Sequence, residues 1–242
     1  MFQNLKNMET MNRTTILVYG KSKVGKTSLV KTLPADKTLV VDLESGLLPL
    51  KGLDLNVFNC QVNKDGDPLE RISRFKKFKT LLSLLQTEEK MSRFEWVVID
   101  SVTELAQLLF EALQHSLPKK EQSFTLWALY ADHLANLIKN IRDNPKFNFL
   151  LLAWEKEERD DIGRPSYGPD FGGGKVSNRV PHWVDEVLRF VVGKDSESNE
   201  KRVLVTKSGS DFIAGDRSGR LDPIEEPHLE NIKNKILGET NE

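Results

Sequence analysis

Gly20-Lys21-Ser22-Lys23-Val24-Gly25-Lys26-Thr27 is a complete G-x-x-x-x-G-K-[ST] loop, and its setting decides the fold. Before it runs the apolar, β-branched stretch Thr15-Ile16-Leu17-Val18-Tyr19; after it runs the helix-like Ser28-Leu29-Val30-Lys31-Thr32-Leu33. A strand, a glycine-bearing turn and a helix in that order make a phosphate cradle. Successive backbone N–H groups from Gly20 to Ser28 point inward as an anion nest, and the helix N-terminus adds its dipole. Lys26 neutralises β/γ-phosphate charge and the Thr27 hydroxyl reaches a Mg²⁺ ion, so ATP and Mg²⁺ are the expected cofactors.

Outward from the loop, strand-like runs fall near Thr38–Asp42, Leu55–Cys60, Trp96–Asp100, Phe147–Ala153, Glu186–Val192 and Arg202–Thr206. Helical patterns fall near Lys26–Leu33, Leu69–Leu85, Thr103–His115, Phe124–Arg142, Lys175–Val184 and His228–Leu237. The alternation predicts an α/β fold, a mainly parallel central β-sheet flanked by helices on both faces. Leu39-Val40-Val41 and Trp96-Val97-Val98-Ile99 are continuously apolar, as strands buried on both faces are. The stretch Arg159–Lys175 is rich in Gly, Pro and Asp and lacks periodicity, which reads as a long functional loop. The organisation expected is a flexible segment 1–13, a core 14–225 and a C-terminal helix and tail 226–242.

The chain has 242 residues with net charge -1, and charged residues make up 29%. That balance announces no polyanionic partner, so any basic surface is local. One cysteine, Cys60, excludes an intrachain disulfide and fits a reducing cytoplasm, with Cys60 a strand residue rather than a nucleophile. No apolar run reaches the roughly 20 residues that span a bilayer. The N-terminus carries no apolar signal core, so a cytoplasmic, membrane-free protein is expected.

Hydrolysis needs a metal-orienting acid and a group that positions water. Asp100 ends the apolar strand Trp96–Ile99, at the sheet edge where open α/β folds bind ligands. It suits the Mg²⁺ shell, through water; the competing role is an N-cap for the next helix. Ser101 follows it, where many phosphate-loop ATPases carry the catalytic Glu. The water-activating acid then comes from elsewhere, and Glu44, in Val40-Val41-Asp42-Leu43-Glu44-Ser45-Gly46, ends the neighbouring strand. The competing reading makes Asp42 and Glu44 turn carboxylates.

These residues together resemble the RecA-type recombinase core: a phosphate loop, then V-D-x-E, then V-V-I-D-S-V. Leu126–Ile141 is similar to the long helix before RecA's next core strand, here Phe147–Ala153. The loop with Gly172-Gly173-Gly174-Lys175 resembles the second DNA-binding loop, and Val203–Lys207 the last core strand with its terminal lysine. Asp216-Arg217-Ser218-Gly219 is weakly similar to the N-R-F-G part of the RadA motif. The resemblance covers about residues 14 to 225, and a core of that size looks like the short phage recombinases of the Sak group. Those are ATP-binding single-strand annealing proteins, with Trp and Tyr in the long helix as at Trp127 and Tyr130. Two departures stand out. RecA's γ-phosphate-sensing Gln has no counterpart in Ala153-Trp154-Glu155-Lys156, and Gly215 replaces the first lysine of the RadA motif.

The resemblance implies an ATP-hydrolysing, single-stranded-DNA-binding protein that assembles into a ring or filament, with ATP at subunit interfaces. Lys207 and Arg217 would act on a neighbour's ATP; a surface turn is the alternative. A single-strand-binding protein is a further implied partner. DNA would meet Lys119 and Lys120 in one loop. In the second, 156–179, it would meet Lys156, Arg159, Arg164, Tyr167, Phe171, Gly172, Gly173, Gly174, Lys175 and Arg179. Cations suit phosphates and the aromatics suit base stacking. The acids Glu155, Glu157, Glu158, Asp160 and Asp161 dilute that basic character, and a substrate lid or a disordered surface loop is the alternative. The basic run Arg71–Lys79 reads as the solvated face of a helix whose apolar stripe is Leu69, Ile72, Phe75, Phe78, Leu82 and Leu85. Two other functions fit the motifs: a nucleotide-gated loader or scaffold, and a small-molecule kinase.

Overall fold

The apolar run before the phosphate loop forms strand β1 (Thr15–Gly20), and every residue of it is buried. It lies inside a ten-stranded sheet in the computed structural model, which describes residues 12–118, 124–194 and 197–239. Strands β2 (Thr38–Asp42) and β3 (Asn56–Asn59) follow, then helix α1 (Arg71–Thr87) and strand β4 (Trp96–Asp100). Helices α2 (Val102–Ser116) and α3 (Phe124–Arg142) lead into a long strand β5 (Asn148–Arg159), which turns back as β6 (Pro165–Pro169). The chain ends with a short helix α4 (Gly174–Ser177), strands β7 (Glu186–Lys194), β8 (Glu200–Val205), β9 (Gly215–Asp216) and β10 (Ile224–Glu225), and helix α5 (Leu229–Leu237).

The main path of the sheet runs β10-β8-β7-β1-β5-β4-β2-β3. Every pairing from β7 across to β3 is parallel, while β8 and β10 add an antiparallel edge. The expected mainly parallel sheet is therefore present. Strand β5 is inserted between β1 and β4, so the phosphate loop and Asp100 rise from strands that do not touch. Registers align their C-terminal ends: Gly20 pairs with Trp154, and Asp42 pairs with Asp100.

Side-chain alternation along each strand feeds two cores. Leu17, Tyr19, Val41, Ile99 and Leu151 pack under α1, α2 and α3. Ile16, Val18, Val40, Val98 and Leu152 pack on the other face with Leu29, Val30, Leu229 and Ile232. Helices thus cover both faces, α5 lying on the phosphate-loop side.

Three expectations are corrected. The helix expected over Lys26–Leu33 is a six-residue 3-10 helix, Thr27–Thr32. Pro34 ends it, since the residue before a proline is pushed to extended backbone, and Leu33 sits at φ -101, ψ 154. A helix so short adds little macrodipole to the anion nest. The helix expected over Lys175–Val184 is split into α4 and a 3-10 turn, Val180–Trp183. The long loop Arg159–Lys175 is in large part a hairpin, with Glu155–Arg159 paired to Pro165–Pro169. Asp160 closes its turn by accepting from the Ile162 and Arg164 amides at 3.0 and 2.8 Å, the local bond that makes Asp a turn former.

Of the flexible segment expected over 1–13, residues 1–11 lie outside the described residues, as do Lys119 and Lys120. Cys60 is fully buried, and burial pushes its thiol up to about 12, which fits an inert strand-end residue. No helix among the described residues is long and apolar enough to cross a membrane.

Glu186 in β7 is 1% exposed and accepts from the Arg217 and Ser218 amides, each at 3.2 Å. Burial, reinforced by the facing Asp216 carboxylate, pushes it from the ordinary 4.5 up to about 8. The protonated form belongs to the folded chain. Its contribution is therefore complete below pH 4.5 and is lost as pH rises through 8. Thermal melts between pH 5 and 8 are expected to show falling stability, and Glu186→Gln to flatten that slope.

Candidate active site

The C-terminal edge of the sheet frames a cleft of about 910 Å³ lined by the phosphate loop, Glu44, Asp100, Trp154 and Glu155. The loop itself needs one backbone freedom that only glycine supplies cheaply: Gly25 sits at φ +108. Ser22, Lys23, Gly25, Lys26, Thr27 and Ser28 line the cleft, whereas the Val24 side chain is buried in the core. Gly20 ends β1, and Lys21 lines a smaller neighbouring cavity of about 390 Å³.

Lys26 folds back over the loop, and its Nζ donates to the Gly20 and Lys21 carbonyls at 2.7 and 2.9 Å. Burial presses its pKa down, while Asp100, Glu44 and Glu155 pull it back up. A partly desolvated cation facing three carboxylates is poised to trade loop carbonyls for phosphate oxygens.

Thr27 Oγ1 donates to Asp100 Oδ2 at 2.7 Å, bridging from the loop to β4 across β5. The competing N-cap role is taken by Ser101, whose hydroxyl accepts from the Glu104 amide at 3.1 Å. Asp100 is left with Thr27 as a hydroxyl–carboxylate pair, hard oxygen donors that fit Mg²⁺. Burial raises its pKa and the Thr27 bond lowers it.

Glu44 and Asp42 divide the two roles proposed for them. Asp42 Oδ1 accepts from the Glu44 and Ser45 amides at 3.1 and 2.8 Å, so Asp42 builds the turn. Glu44 is released into the cleft, where it accepts a hydrogen bond from the Ser101 hydroxyl. Burial raises its pKa, and the Ser101 bond offsets part of that rise.

Residues 12–218 match the AAA_24 family, described as an AAA domain. The chain belongs to this family. With its phosphate loop, inserted strand and mainly parallel sheet, this AAA domain is a RecA-like P-loop fold. Solved structures are similar to the chain only at low levels. An ATPase from the type III secretion system of pathogenic bacteria is 17% identical over 74% of this chain, with a TM-score of 0.47. The match takes in 51% of that ATPase, about half its length. The RadB recombinase is 16% identical over 88% of this chain and 90% of its own, with a TM-score of 0.41. The flagellar accessory protein FlaH from Methanocaldococcus jannaschii is 10% identical over 79% of this chain and 76% of its own, with a TM-score of 0.38. No curated protein matches this sequence.

The residues expected to touch DNA are only partly brought together in the AAA domain. Lys156, Arg159 and Arg164 lie on the hairpin, but each pairs with an acid close in sequence: Glu158 at 2.6 Å, Glu157 at 2.5 Å and Asp160 at 2.9 Å. Phe171 is corrected from a base-stacking residue to a core residue, since it is 0% exposed and its carbonyl accepts from the Tyr130 hydroxyl. Gly173 sits at φ +68, where a Cβ would come 2.8 Å from Trp127, so its smallness serves packing against α3. Gly172 turns beside it at φ +65, and Gly174 and Lys175 open α4. Tyr167 is half-buried beneath the Arg189 guanidinium, 4.5 Å from its ring, and Arg179 lies 5.7 Å from the Trp183 ring.

Arg217 sits at the opposite edge of the sheet from its own cleft, with its guanidinium 2.9 Å from Asp185. Its neighbour Asp216 pairs with Glu186, which pairs with Ile16, four residues before Gly20. That is about 13 Å along a strand. Lys207 is exposed after β8. In the basic run, Lys77 is tied to the Asn59 and Val62 carbonyls at 2.7 and 2.6 Å, while Lys76 and Lys79 face solvent.

Sequence reasoning missed Arg189, Arg202 and the active role of Ser101. Glu155, in the segment where the Gln has no counterpart, is 4% exposed and forms an ion pair with Arg189 at 2.8 Å, itself 13% exposed. Arg189 then stacks on Tyr167 and Phe212. Cleft and hairpin thus share one half-buried cation. Arg189→Ala leaves Glu155 with Lys26 as its facing cation, and denaturant unfolding is expected to show a loss of about 1–3 kcal/mol.

Proposed function

We propose that the chain hydrolyses ATP with Mg²⁺ in this cleft, with Glu44 as the residue that orients and deprotonates the attacking water. The observation that carries this reading is the convergence of Lys26, the Thr27–Asp100 pair and the Glu44–Ser101 pair at one end of the cleft. Bound at Thr27 and Asp100, a Mg²⁺ ion supplies charge neutralisation to phosphate oxygens. Lys26 exchanges its loop carbonyls for phosphate oxygens. Ser101 holds Glu44 in place with one bond and leaves carboxylate capacity for water, and burial brings the Glu44 pKa closer to working pH.

Lys26→Ala is expected to abolish nucleotide binding in an equilibrium titration. Glu44→Gln keeps ATP binding and lowers turnover by about 10²–10⁴-fold. In wild type, turnover falls on acidification at a pH above the ordinary Glu value, because only ionised Glu44 accepts a proton. Glu44→Gln turnover equal to wild type removes Glu44 from the role.

For what the ATP cycle drives, we propose single-stranded DNA binding and annealing of the phage recombinase type, in an oligomer whose neighbour supplies Lys207 or Arg217. The hairpin side chains Lys156, Arg159 and Arg164, with Tyr167 beside them, support it. A second reading, a nucleotide-gated loader acting on a protein, is favoured by the locally neutralised cations and by Ile162, 73% exposed at the hairpin turn. ATP turnover with and without single-stranded DNA, beside a salt-dependent DNA titration, separates them. DNA stimulation with a steep salt slope supports annealing; tight ATP binding indifferent to DNA supports the loader.

A further inference from the structure

The cleft has two ends, and the chemistry proposed above uses only one. Glu44, Asp100 and Trp154 lie on the β5–β4 side of β1, while Phe190 of β7 and Arg202 of β8 lie on the other side. A nucleoside triphosphate whose terminal phosphate faces Glu44 therefore extends its sugar and base past Thr27 and Ser28 toward β7 and β8. Arg202 stands at that end. Its Nε donates to the Val24 carbonyl at 2.9 Å, which fixes one edge of the guanidinium plane. Its Nε and Cδ flank Gly25, where an added Cβ would lie 3.5 and 3.8 Å from them. Phe190, 2% exposed, backs the same glycine, and Pro227 adds an apolar wall. No carboxylate among the described residues forms an ion pair with Arg202, and the side chain is exposed to the cleft.

We propose that Arg202 recognises the nucleobase of this site, its guanidinium plane stacking on the purine ring of a bound nucleoside triphosphate. The assignment rests on the nucleotide reading above. A guanidinium is planar and weakly hydrated, and it stacks on π faces that a lysine ammonium meets only as a point charge. The larger purine face gains more from that contact than a pyrimidine does. The competing role is a strut: Arg202 acts on the loop through Val24 alone and never meets the base.

Inorganic tripolyphosphate, which has phosphates but no base, separates the two. Wild type, Arg202→Ala and Arg202→Lys are titrated with ATP, CTP and tripolyphosphate in the presence of Mg²⁺, with thermal melts confirming that each variant is folded. Arg202→Ala is expected to weaken ATP about five- to tenfold, to narrow the preference for ATP over CTP, and to leave tripolyphosphate unchanged. Arg202→Lys is expected to behave likewise, because it keeps charge and loses the plane. Equal weakening of ATP and tripolyphosphate overturns the assignment in favour of the strut, and unchanged ATP affinity overturns it outright. Wild type that binds neither ATP nor tripolyphosphate overturns the nucleotide reading itself, and this assignment with it.

Discussion

The hydrogen bond from Thr27 to Asp100 ties together two strands that never meet. Strand β5 lies between them, so the bond must arch over its end at the sheet's C-terminal edge. Everything chemical in the protein depends on that span. It fixes the phosphate loop relative to β4. The pairing of β5 with β1 and β4 brings its tip, with Trp154 and Glu155, to the cleft beneath that span. The strand order thus converts the inserted strand into a probe of whatever the loop holds.

The electrostatics of the cleft follow from crowding. Asp42, Glu44, Asp100 and Glu155 gather at one sheet edge, three of them facing Lys26 and Asp42 beside Asp100. Two of them are spent structurally: Asp42 on backbone amides and Glu155 on Arg189. The other two retain capacity, and burial holds both above the ordinary carboxylate range. Such a site is more comfortable with added positive charge than without it. A divalent metal ion beside Asp100 would supply that charge to the carboxylates.

The parts of this arrangement most legible in the sequence are those made by short, local rules. The phosphate loop is contiguous, and β2 and β4 are unbroken apolar runs ending in acids. The hairpin was hidden because its strands project beyond the sheet, so charges sit on both faces and no alternation marks them. The short helix after the loop was misread because a helical pattern gives no warning of a 3-10 geometry cut off by Pro34. Strands β9 and β10 have two residues each, too few for any periodicity. Arg189 and Arg202 carry no local signal at all. They reach the cleft only because β7 pairs with β1 and β8 folds back antiparallel on β7. Phe171 went astray for a related reason: an aromatic beside three glycines looks exposed until α3 is packed over it.

The six-residue helix that follows the phosphate loop is too short to be stable by its own hydrogen bonds. Its order is borrowed. Leu29 and Val30 are buried with Leu229 and Ile232 of α5, and the Thr32 hydroxyl accepts from the Leu229 amide at 2.9 Å. The loop's downstream anchor and the last helix therefore share one packing surface. Packing thus couples the end of the phosphate loop to a helix some two hundred residues further along the chain.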